Sequence, residues 1–206
     1  MVRIALRSLI VCMTLLLLGG TAVPAPVTTP AAPPAKKLTV VLAYFTATPK
    51  PLRPGQVRSA NLSILPVDGV NFTLDTSTPV RFRKQMESVS REYEYSLDLT
   101  GSVVCESGAA AQSDLRILPD PKDPNRLQMT GLVWVSQVQP HIVKLALTTI
   151  GAFMAKPGAK EPVKVFSLDN TRTVVIGRTY VAGYQVSSKA KNAPISLLAV
   201  CVVPGG

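Results

Sequence analysis

Glu92, Glu94 and Asp98 fall on one set of alternate positions in SREYEYSLDLTGSVVC, residues 90–105. Paired carboxylates on one strand face are the arrangement that general acid–base chemistry on a polymer uses, with one group protonated and the other charged. Alternating acids are also what the solvated face of a strand carries, and Arg91 beside them offers a partner charge. The chain has one histidine, His141, which follows Pro140 in an apolar context. A hydrolase triad needs a nucleophile and an orienting acid around such a base. Neither a GxxxxGK[ST] phosphate loop nor an HExxH metal helix occurs in the sequence. These residues predict no catalytic set and no cofactor. An enzyme acting on an extracellular polymer through Glu92 and Glu94 is the alternative they leave open.

The cysteines depend on where the chain goes. It begins MVRIALRSLIVCMTLLLLGGTAVPA. Arg3 and Arg7 form a basic start, Leu9 to Leu18 is apolar except for Thr14, and Val23-Pro24-Ala25 has the small-residue character of a cleavage site. That is the layout of a secretory signal peptide over residues 1–25. Its apolar core is short of the roughly 20 residues that span a bilayer; an uncleaved anchor is the competing reading. Of Cys12, Cys105 and Cys201, only the last two lie beyond it. An even pair in an exported protein predicts a Cys105–Cys201 disulfide. It would close a loop of about 96 residues and contribute about 4–5 kcal/mol by chain entropy. Two separate buried thiols are the alternative. Two distant cysteines and one histidine do not make a four-ligand zinc set, so no metal site is expected.

The 206 residues carry a formal charge of +10. Without Arg3 and Arg7 the balance is 20 basic to 12 acidic groups, still +8. Such an excess favours acidic surfaces without choosing among them: anionic lipid, an anionic envelope polymer, nucleic acid or another envelope protein, with a plain solvated surface as the competing reading; Arg81, Arg83 and Lys84 are a candidate contact. The bases are otherwise spread out and aromatics make up 5%, so no specific nucleic-acid motif is present. Tyr93, Tyr95 and Trp134 are a candidate aromatic groove for carbohydrate or peptide, against which stands ordinary packing.

The elements that must position these residues read as strands. PAPVTTPAAPPA, within residues 24–35, is a Pro/Ala linker, assigned to 26–36 after cleavage, and one β-rich domain is expected over 37–206. LTVVLAYFTAT (38–48), ANLSILPV (60–67), VNFTL (70–74), PVRFRK (79–84) and the run 90–105 are strand candidates. So are DLRIL (114–118), RLQMTGLVWVSQV (126–138), VKVFSL (163–168), TRTVVIGRTYVAGYQV (171–186) and ISLLAVCVV (195–203). Asp68-Gly69 predicts a hairpin turn. HIVKLALTTIGAFMA (141–155) fits a helix or a strand; its β-branched residues and Gly151 favour strand. The last strand is apolar on both faces and must be covered on both. The sum is an all-β, antiparallel sandwich-like domain with short hairpins and room for one short helix.

Two segments, RLQMTGLVWVSQV (126–138) and PVKVFSLDNTRTVVIG (162–177), resemble in order and character the C-terminal β-domain of bacterial outer-membrane secretins. TPVRFRKQMESVSREYEYSLDL (78–99) fits the same order loosely. The family's run ends in two glycines, whereas here Arg178 follows Gly177. The resemblance implies a β-rich envelope component that assembles with other chains; it transfers no site residue. Independently, no later apolar segment reaches spanning length, so no transmembrane helix is expected in the mature chain. The functional reading is a secreted or periplasmic, non-enzymatic structural or binding module of the cell envelope, with a secretin-like apparatus component as alternative. The signal assignment sets an expected mass: the exported protein should begin close to Pro26, and intact-mass measurement that finds Met1 retained contradicts it.

Overall fold

ISLLAVCVVP alternates two apolar sets, so the strand it forms needs cover above and below. The computed structural model, which describes residues 37–51, 68–106, 112–118, 126–155, 161–186 and 193–205, supplies both. β8 (Ile195–Pro204) is central in a first sheet with β1 (Lys37–Pro49), β2 (Tyr93–Glu106) and β7 (Thr179–Val186), in the order β2-β1-β8-β7. The second sheet is β3 (Gln112–Ile117), β4 (Gln128–Gln139), β5 (Ile142–Met154) and β6 (Val163–Val175), in sequence order. Every pairing is antiparallel. The described strands follow one another around the sandwich as an up-and-down meander. No ladder joins β2 to β3 or β6 to β7, so the sandwich is open at those two corners.

Leu198, Val200 and Val202 on β8 and Val40 and Leu42 on β1 pack against Val133, Val135, Leu145 and Leu147 of the second sheet. On its other face the first sheet presents Phe45, Ile195, Leu197 and Cys201 to α1 (Pro79–Val89). The layers are helix, sheet, sheet. The sequence reading of PVRFRK as a strand is corrected here. Thr78 caps the helix, accepting from the Arg81 N–H at 3.2 Å, and Pro79 opens it. Val80 and Phe82 alternate with Arg81 and Arg83 like a strand, but Phe82, Met86 and Val89 share a helical stripe that shows only in a longer window. Phe82 meets Phe45 edge-on, centroids 5.1 Å apart.

β2 carries a second correction. Its apolar residues alternate without interruption from Tyr93 to Cys105, which reads as one face. The register to β1 slips between Tyr44 and Phe45: Phe45 faces Leu97 while Tyr44 faces Leu99, leaving Asp98 as the extra residue of a bulge. Tyr93, Tyr95 and Leu97 therefore point toward the helix, and Leu99, Val103 and Cys105 toward the second sheet. The Thr46 hydroxyl donates to the Asp98 carboxylate at this point.

The strand order rules out the expected disulfide, because β1 lies between β2 and β8. Cys105 and Cys201 are both free and both buried. Cys105 lies among the side chains between the sheets, and Cys201 among those under the helix. They also flank β1 on opposite sides, Cys105 in register with Leu38 and Cys201 with Val41. Two strand spacings of about 4.8 Å separate them, against the roughly 7 Å a bridge allows between Cα atoms. The alternative of two separate thiols holds.

Other boundaries shift too. Within residues 141–155, Ile142–Met154 form strand β5, as favoured. VKVFSL and TRTVV are one strand, β6, and the chain turns at Gly177, at φ 84°, into β7. Residues 60–67 lie outside the described residues, and 70–74 form no strand. Asp68-Gly69 is a turn, Gly69 at φ 75°, that docks on β7 instead of opening a hairpin: Val70 bridges Thr179. Burial pushes both thiols above their ordinary pKa. A thiol reagent should accordingly label neither cysteine in the native protein and both after denaturation, and reductant should leave the thermal midpoint unchanged; a midpoint that falls on reduction would restore the bridge.

Candidate functional site

The β6/β7 corner lacks a ladder, and side chains take its place. Arg172 of β6 donates through both terminal nitrogens to Asp68, at 2.8 and 3.1 Å, and to the Val181 carbonyl of β7 at 3.0 Å. Its guanidinium lies 4.7 Å from the centre of the Tyr180 ring. Asp68 also accepts from the Val181 N–H at 3.0 Å. Asn170 donates to the Ala182 carbonyl, and the Val175 N–H donates to the Tyr180 hydroxyl at 2.9 Å. Backbone groups at two strand edges are thus satisfied from the side. Arg172 and Asp68 are 104 residues apart, and no local pattern in the sequence marks them as a pair. This cluster fastens the two sheets together.

The faces of the stack differ. The outer face of the first sheet is closed by α1, whereas no described element covers the outer face of the second. The inward set of β4 and β5, including Val133, Val135, Leu145 and Leu147, is at most 2% exposed. Leu132, Trp134 and Ala146 alternate with it and point outward, half-buried, at the middle of the uncovered face. Around them lie Gln112, Asp114, Arg116, Thr130, Lys144 and Thr171. A shallow depression of about 510 Å³ is lined by Asp114, Arg116, Thr130, Leu132 and Thr149, among others. Beside it Thr149 adopts φ 52°, uncommon for a β-branched residue, and its N–H donates to Asp169 at 2.6 Å. An apolar centre with a polar rim can bind by burial and hydrogen bonding.

The residues expected to do chemistry are dispersed. Glu92 and Glu94 are exposed, Glu92 ahead of β2 and Glu94 opposite Thr48, while Asp98 occupies the bulge. His141 is exposed in the turn between β4 and β5. Among the described residues, no three His, Cys, Asp or Glu side chains gather as metal ligands. The aromatic groove is not formed: Tyr93 and Tyr95 are 4% and 1% exposed under the helix, whereas Trp134 is on the far face of the other sheet. The Tyr95 hydroxyl is buried without a hydrogen-bond partner among the described residues, and burial pushes its pKa up to about 12. Arg81, Arg83 and Lys84 are together and exposed on the first turns of α1. No helix among the described residues is long and apolar enough to cross a membrane.

No family model matches this sequence, and no curated protein matches it. Among solved structures, the chain is similar to the secretin InvG of the Salmonella SPI-1 type III secretion injectisome in its open gate state. The identity is 6% and the TM-score 0.40, over 98% of this chain and 66% of that one. It is also similar to an enterotoxigenic E. coli pilotin–secretin complex, AspS–GspD, at 11% identity and TM-score 0.37, over 85% of this chain and 51% of that one. The resemblance to secretins is weak and partial. The chain spans just under two thirds of the first structure's length and about half of the second's.

The corner cluster makes its own expectation. Asp68→Asn keeps the shape but removes the charge that Arg172 grips with both nitrogens. The pair is about one third exposed, so the loss should be about 1–2 kcal/mol, below that of a fully buried pair. Arg172→Lys should cost a similar amount, because a lysine keeps the charge but not the fork. Urea unfolding of both variants and of the double variant measures the coupling; additive losses would show that the two residues act independently.

Proposed function

We propose that this chain is a non-enzymatic structural and binding module of the bacterial cell envelope, exported through its N-terminal segment. The observation that carries the reading is the asymmetry of the stack. One sheet is closed on both faces, while the other leaves Leu132, Trp134 and Ala146 at the centre of a face that no described element covers, with a polar rim. Aromatic anchors inside polar rims are how protein partners are held. The occupant of this face would be another envelope protein. Placing a photo-crosslinking residue at position 134 in the native envelope should give a discrete light-dependent adduct, and the same residue at Glu94 should give none. Absence of any adduct from position 134 would overturn the reading.

The second reading is a secretin-like component of a secretion or pilus apparatus. Its support is that the segments carrying the sequence resemblance, 126–138 and 162–177, supply β4 and β6, which flank β5 in one sheet. This reading expects a large ring-like oligomer in sizing and negative-stain images, and a clean monomer removes it.

A further inference from the structure

A charged exposed feature of the stack lies on its other side, on α1. Phe82, Met86 and Val89 form the stripe that meets the first sheet. At 100° per residue, the line opposite that stripe runs through Val80 and Lys84, with Arg81 and Arg83 on its two flanks. Val80 is 62% exposed. The helix therefore presents a convex ridge with an apolar residue at its crest and three cations around it.

Little within the fold accounts for these cations. Arg81 approaches Asp75 at 3.9 Å with its side chain 70% exposed, which is a weak contact. Arg83 and Lys84 make no ion pair among the described residues. Farther along, Glu87 is met by Lys50 at 3.5 Å. The first turn holds no acidic residue, although the helix dipole favours negative charge there and disfavours positive. Arg81 therefore stands in the turn where a positive charge costs stability, and Arg83 and Lys84 extend the same unneutralised charge along the exposed face.

From this geometry we propose that the Val80–Lys84 ridge of α1 docks on an anionic lipid surface. Shape and composition favour a bilayer over an acidic protein. The ridge is convex, its cations are long and splayed to both sides, and the one apolar residue sits at the point of first contact. A flat anionic interface accepts all four together: the cations lie at headgroup level and Val80 enters the boundary. The proposal does not rest on the function proposed above, which concerns the opposite face of the stack.

The test uses the protein as recovered from the producing cell and measures co-sedimentation with vesicles. Vesicles of mixed phosphatidylcholine and phosphatidylglycerol are compared with vesicles of phosphatidylcholine alone. The parent should bind the anionic vesicles in a salt-sensitive manner and the neutral ones much less. Each cation removed should weaken binding about fivefold, so the Arg83→Gln/Lys84→Gln variant should lose more than tenfold. Lys144→Gln, on the uncovered face of the second sheet, should bind like the parent. The helix variant should keep or slightly raise the thermal midpoint, which separates lost binding from lost folding. Because variant and parent share residues 1–36, any contribution of that segment cancels in the comparison. Equal binding by the helix variant overturns the proposal. So does tight, ridge-dependent binding of soluble polyglutamate with none to anionic vesicles, which would assign the ridge to an acidic protein.

Discussion

The fold depends on covering one sheet from both sides. β1 and β8 carry apolar side chains above and below, and a sheet of that kind is unstable with one face in water. The second sheet covers one face, and the 11-residue helix between β1 and β2 covers the other. Placing the helix there consumes its own apolar stripe against Phe45 and Tyr95, so its cations can only face outward. The second sheet needs its apolar side chains on one face alone, and its strands alternate accordingly. From this single requirement come both exposed surfaces: a cationic ridge on the helix side and an apolar-centred sheet face on the other.

Closing the meander would have hidden all the strand edges, and this chain leaves two corners without ladders. At β6/β7 the edge groups are met by Arg172, Asn170, Asp68 and Tyr180. At β2/β3 the sheets approach through packing. The Ile117 side chain lies 2.4 Å from where a Cβ on Gly101 would stand, so a side chain there would require Ile117 to move. The Ser113 hydroxyl adds a bond to the Val104 carbonyl at 3.3 Å. The two corners solve the same edge problem with different chemistry, one polar and one by close approach.

The binding readings place function on surfaces because the interior is occupied by packing. Tyr93 and Tyr95, which as a pair suggest a ligand-stacking groove, are consumed in covering the first sheet under α1. Trp134 survives as a surface residue because its strand belongs to the sheet with one covered face. Arg81, Arg83 and Lys84 were visible in the sequence as a cluster, but their placement around Val80 on one exposed ridge depends on which helix face is buried.

Composition and local periodicity determined the sheet-rich class, the two-faced burial of β8 and the strand at 142–154. Those follow from side-chain alternation, which is a property of the backbone within a few residues. Tertiary structure settled the helix at 79–89, whose cap and stripe are present in the sequence but count only when a sheet lies beneath them. It also decided the pairing of Arg172 with Asp68 across 104 residues. The same holds for the fate of the cysteines, which strand pairing places on either side of β1, and for the two faces of β2. Tyr93 to Cys105 alternate in sequence as one face, but a single extra residue at Asp98 turns the strand over. A bulge is a mismatch between two paired strands, and a strand read alone carries no information about its partner's register.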